Sequence, residues 1–185
     1  MHRAPAFGSL LALGALVALA APPPAASQNA NVPDAAIGTW VLQNAGRATR
    51  RRDAGIEHCV EEVFALGRNI ARRRLRSGMP AHARLVVERR GTRELRLEMS
   101  DAYRVVQPVN GTPKRITDKW GSPIDSRLRV RGGALVQTLR TTDGESLITH
   151  RLEPRDDGTL VLSVRLANDQ LDRDVTFRLV YRRAG

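Results

Sequence analysis

The segment DVTFRLVYRRA, residues 174–184, decides the fold. Val175, Phe177, Leu179 and Tyr181 alternate with Thr176, Arg178, Val180 and Arg182, so one face is apolar and the other is mostly polar. Alternation with period two is the mark of a half-buried β-strand. The same pattern fills most of the chain after Pro80. ARLVVERR and TRELRLEM flank Arg90-Gly91, and AYRVVQPV and the weaker PKRITDKW follow. SRLRVR and ALVQTLR flank Gly132-Gly133, while ESLITHRLE and TLVLSVRLA begin after Asp143-Gly144 and Asp157-Gly158. Glycine behind aspartate or glycine supplies the positive φ of tight hairpins, which join neighbours in space.

With IGTWVL, residues 37–42, this makes about nine or ten short strands in a meander. A flat sheet of that length would expose two unpaired edges, and closure removes them. The sequence therefore predicts a mainly β fold, an antiparallel up-and-down β-barrel of about 8–10 strands. The 174–183 strand should lie beside IGTWVL, with Phe177 and Tyr181 facing inward.

One stretch breaks the pattern. In DAGIEHCVEEVFALGRNIARRRLR, residues 53–76, Ile56, Val60, Val63, Gly67 and Ile70 recur at three- and four-residue steps. Asp53 stands first, Arg72, Arg73, Arg74 and Arg76 stand last, and Gly78 and Pro80 follow. That order suits a helix dipole and its termination, so one helix is expected over 53–76, between strands 1 and 2.

The N-terminus has another character. A basic start at Arg3, an apolar run from Leu10 to Ala21 and small residues beyond it have the layout of a secretory signal peptide, assigned to 1–27. The run is short of the roughly 20 residues of a spanning helix. Residues 28–36 read as a disordered leader, and 37–185 as one barrel domain. The expected address is periplasmic or secreted. Cys59 is the sole cysteine, so no internal disulfide is expected.

Net charge is +11, and Lys114 and Lys119 are the only lysines. Residues 47–76 alone hold nine arginines against four acids. Such a segment suits anionic ligands or an anionic membrane surface, or is simply a solvated face. Nucleic acid is not expected, because aromatics are not interleaved with the basic run.

GTWVL near the start, helical material after the first strand, the run of hairpins from Arg127 to Val164 and the closing LVYRRA together resemble the calycin barrels. These are the lipocalins and especially the fatty-acid-binding proteins, and the chain is most similar to small exported bacterial lipocalin-like proteins, which also begin with Gly-Thr-Trp and end this way. The resemblance implies a ligand-binding interior in which a final-strand arginine and tyrosine, with an arginine two strands earlier, hold a carboxylate. Tyr181 matches the tyrosine and Arg151 falls where the earlier arginine is expected. Leu179 stands at the final-strand arginine, so the clamp is incomplete.

The ligand-binding candidates are thus Tyr181, Arg151, Phe177, Trp40, Leu97 and Leu162. Trp40 has a second reading as a plug of the barrel base. On β-strand 145–153 the inward face is either Ile148, His150 and Leu152 or Leu147, Thr149 and Arg151. No catalytic residue, metal ligand or cofactor is assigned. Glu57, His58, Glu61 and Glu62 sit on one helix, whereas tetrahedral sites draw on several segments, and no nucleophile elbow or phosphate loop occurs. The expected function is an exported, monomeric barrel that buries a small hydrophobic or amphipathic ligand without being an enzyme. The alternative is a packed barrel that binds polyanions, anionic lipid or a protein partner through its arginine face.

Overall fold

A computed structural model describes residues 31–185 apart from 62, 64, 101 and 119. The expected signal peptide, 1–27, and the first three leader residues lie outside the described residues. Ten strands are present: β1 Gly38–Leu42, β2 Arg84–Arg90, β3 Glu94–Met99, β4 Tyr103–Pro108, β5 Lys114–Thr117, β6 Pro123–Arg131, β7 Ala134–Thr141, β8 Ser146–Pro154, β9 Thr159–Asn168 and β10 Val175–Arg183. All pair antiparallel in the order β4-β3-β2-β1-β10-β9-β8-β7-β6-β5. The last strand lies beside the first, with Trp40 opposite Arg183 and Leu42 opposite Tyr181. This is the expected up-and-down barrel.

The ring has one seam. β4 and β5 end the ladder without pairing to each other, and an isolated bridge joins Asn110 to Arg129 close by. Gly111 N donates to Leu128 O at 2.9 Å beside that bridge. Gly111 has φ +86°, and a Cβ there would sit 2.0 Å from Arg129 Nε, so glycine is needed twice over.

Two helices, not one, separate β1 from β2: α1, Ala45–Val60, and α2, Ala65–Gly78. The single helix expected over 53–76 is corrected in both directions. Asn44, in a left-handed conformation, accepts from Arg47 N at 3.1 Å, so α1 begins at Ala45 and not at Asp53. The arginines of 47–52 extend α1, as strong helix formers do. At the break Arg68 Nη2 donates to Glu61 O at 2.9 Å and to Val63 O at 3.3 Å, taking up carbonyls at the end of α1. The chain then folds back. Arg72 grips Glu57 through two bonds of 2.7 Å, and Arg76 adds a third at 3.1 Å. These arginines hold the Glu57 carboxyl below its ordinary value, chiefly through the Arg72 bond.

α1 buries Ala48, Ile56, Cys59 and Val60, one stripe at helical spacing. It lies so close to β10 that a Cβ on Gly55 would meet Thr176 O at 2.4 Å. Cys59 Sγ donates to Arg173 O at 3.0 Å, and burial raises its thiol pKa.

The leader also departs from expectation. From Val32 onward it is packed rather than disordered, with Val32 and Ala36 buried and a short 3-10 turn over Asp34–Ala36. Trp40 Nε1 donates to Ala36 O at 3.0 Å. Arg183 lies 4.7 Å from the Trp40 ring centre and donates to Ile37 O at 2.8 Å. A tail of small residues thus seats against the buried indole, and its carbonyls find donors.

Candidate ligand-binding cavity

The two ends of the barrel differ. At the Trp40 end Leu85, Leu97, Leu128, Leu135, Leu152, Leu160, Leu162, Leu179 and Tyr181 are fully buried and belong to one core. At the α2 end a cavity of about 840 Å3 opens between α2 and the inner faces of β7 to β10. That volume lies within the roughly 300–1,000 Å3 of small-molecule sites. Its walls include Ala71 and Leu75 of α2, Leu139, Ile148, Leu166 and Phe177. Trp120 and Ile70, 59% and 57% exposed, stand at the mouth beside Arg73 and Arg74.

The boundary between hollow and filled halves is one row of the sheet. Gln137 pairs with His150, His150 with Val164, and Val164 with Phe177, across β7, β8, β9 and β10. One step toward the base the inward residues are leucines; one step outward Leu139, Ile148 and Leu166 line the cavity.

This row carries a polar cluster. Tyr103 Oη of β4 donates to Gln137 Oε1 at 2.5 Å. Gln137 Nε2 donates to Ser126 Oγ at 3.0 Å, and Ser126 Oγ donates to Gln107 Oε1 at 2.8 Å. β4 lacks a ladder partner on this side, so side chains stitch it to β6 and β7 across the seam. His150 Nδ1 lies 3.3 Å from Tyr103 Oη and 3.4 Å from Gln137 Oε1. Burial, with the nearby His82, pushes the His150 pKa down to about 3, so its imidazole is neutral. Burial also raises Tyr103 and Tyr181 above the ordinary tyrosine value. Among the described residues the buried polar side chains are His82, Gln107, Ser126, Gln137 and His150, and none is an arginine, lysine or acid.

No protein-family model and no curated protein sequence matches the chain. Solved structures match its shape. A secretary abundant heat soluble protein from Ramazzottius varieornatus gives a TM-score of 0.54 at 12% identity, covering 81% of this chain and 96% of that one. Apo Caenorhabditis elegans lipid binding protein 8 gives 0.50 at 11% identity, covering 84% and 100%. Echinococcus granulosus fatty-acid-binding protein 1 gives 0.47 at 13% identity, covering 82% and 98%. The chain shares the β-barrel fold of the first two of these structures.

Within this barrel the sequence candidates separate. Phe177 lines the cavity. Leu97 and Leu162 are buried in the packed half instead, and Trp40 is the base plug. Tyr181 is enclosed too, its Oη donating to His82 O at 2.9 Å. Arg151 is on the outer face, where its guanidinium donates to Arg131 O and Gly132 O and lies 3.8 Å from Glu153. The carboxylate clamp implied by resemblance is therefore not assembled. Pleating makes the reason simple: Ile148, His150 and Leu152 take the inner face of β8, which turns their neighbour Arg151 outward. Sequence reasoning passed over Tyr103, Gln137 and His150. The available signal was a polar residue at an inward position of a strand otherwise alternating apolar, as in Ala134–Thr141, where Gln137 interrupts Leu135 and Leu139.

Proposed function

We propose that this protein is an exported, non-enzymatic barrel that takes up a small apolar or amphipathic molecule beneath α2. The observation that carries the reading is the hollow, largely apolar half of the barrel, closed below by leucines and above by a helix whose Ala71 and Leu75 face it. Burial at about 25 cal/mol per Å2 of apolar surface is a sufficient driving force. The name of one structural neighbour, a lipid binding protein, is consistent with it, and export rests on the leader sequence.

Nile red, a neutral apolar dye, tests the reading by fluorescence on the secreted protein, with native mass spectrometry of the same material for co-purifying lipid. Val164, buried on β9 and lining the cavity, is the residue to enlarge. V164W should lower dye affinity by about tenfold while the protein remains folded. Wild-type protein that takes up neither dye nor lipid would remove the proposal.

A second reading is favoured by Arg73 and Arg74, which border the mouth and form no ion pair among the described residues. They would let α2 dock on an anionic membrane. Co-sedimentation with phosphatidylglycerol vesicles that disappears between low and physiological salt supports this; salt-independent binding or none rejects it.

A further inference from the structure

His150 is 6% exposed, lines the cavity, and meets its polar neighbours Tyr103 Oη and Gln137 Oε1 through Nδ1. Among the described residues, Nε2 has no hydrogen-bond partner. The neutral imidazole carries its proton on one ring nitrogen, so Nε2 is a donor in one tautomer and an acceptor in the other. In both it is a polar atom left to be satisfied from the cavity side.

We infer that the ligand is an uncharged, hydroxyl-bearing apolar molecule, of the long-chain alcohol or sterol type, whose hydroxyl pairs with His150 Nε2 while its body fills the apolar half-barrel. This rests on the proposed ligand-binding function and names its substrate class. A hydroxyl both donates and accepts and so satisfies either tautomer, whereas a carboxylate can only accept. A carboxylate brought in to His150 would also lie among buried side chains that include no cation, since Arg73 and Arg74 stand at the mouth, and an unpaired buried charge is strongly disfavoured. An alkane fills the same space but leaves Nε2 unsatisfied.

The test is displacement of Nile red from the full secreted protein at neutral pH by dodecanol, dodecanoate and dodecane. Dodecanol should displace the dye about three- to tenfold more effectively than dodecane, the range of one net hydrogen bond. It should exceed dodecanoate by on the order of a hundredfold. H150F replaces the imidazole with a somewhat larger apolar ring and should abolish the alcohol preference, displacement being referred to the variant's own dye affinity. An independent readout is the 15N resonance of His150 Nε2, which should shift on adding dodecanol and stay in place on adding dodecane. Dodecanoate binding as tightly as dodecanol, an alcohol preference that survives in H150F, or an Nε2 resonance unmoved by dodecanol each overturns the inference, with the binding function left standing. Dye uptake absent altogether overturns the binding function itself.

Discussion

Gln137 is the residue whose removal tests the architecture most directly. It is fully buried and holds the seam, accepting from Tyr103 of β4 at 2.5 Å and donating to Ser126 of β6 at 3.0 Å. Gln137→Leu preserves approximate volume but removes both bonds. Each net hydrogen bond contributes about 1 kcal/mol, and an orphaned buried partner costs about 1–3 kcal/mol. Ser126 keeps its bond to Gln107 Oε1, so the larger loss falls on the Tyr103 hydroxyl, left with only the longer contacts of 3.3 Å to Met99 Sδ and His150 Nδ1. Leucine's apolar surface offsets part of it. The expected destabilisation is about 2–3 kcal/mol, which lowers the urea midpoint by about 1 M for a domain of this size. Urea unfolding followed by tryptophan fluorescence gives the value. Tyr103→Phe removes the orphan, so Y103F/Q137L should be more stable than the sum of the single changes by about 0.5 kcal/mol or more. A Q137L protein within about 0.5 kcal/mol of wild type, or a strictly additive cycle, would show that the seam does not depend on this cluster.

Three further outcomes are expected. Gly55→Ala should destabilise by about 1–3 kcal/mol despite alanine's better helix propensity, because the new Cβ meets Thr176 O at 2.4 Å; a stabilised variant in the same denaturation assay refutes the close seat of α1. Because the His150 pKa falls from 6.5 to about 3 on folding, the unfolded chain binds more protons between those values. Stability should therefore fall as pH drops below about 6.5, by up to about 1.4 kcal/mol per unit for this group, and H150F should show a shallower slope than wild type between pH 6.5 and 4.5. Equal slopes would place His150 in a wetter setting. Arg151→Ala should leave Nile red affinity within about twofold, since the side chain lies outside the barrel; a large loss would put it at the ligand.

The helix pair shows why some of the structure escaped the sequence. Ile56, Val60 and Ile70 carry a helical period, but a period says nothing of where a helix bends back. The bend is held by Arg72 and Arg76 on Glu57, contacts 15 and 19 residues apart. Likewise the arginines of 47–52 fall outside the helix expected over 53–76, while Asn44 starts a helix ahead of them. The leader residues Val32 and Ala36 have little local signal, and their partners are distant in sequence or on the first strand: Arg89 donates to Val32 O and Trp40 to Ala36 O.

What the amino-acid sequence determined alone was the barrel: alternation from Leu85 to Tyr181 and glycine-bearing turns specify neighbouring strands, and the need to remove exposed edges brings β10 to β1. Those are local patterns joined to one general constraint. Which half of the barrel is filled, and which polar groups meet at its boundary, belongs to tertiary structure. Gln137, His150, Val164 and Phe177 come from four strands and become one row through ladder register, while Tyr103 reaches them across a seam where no ladder exists. A one-residue change of register would turn His150 outward and Arg151 inward. That single choice decides between a neutral cavity and a cationic one, and it is made by the pairing of whole strands, not by any residue within them.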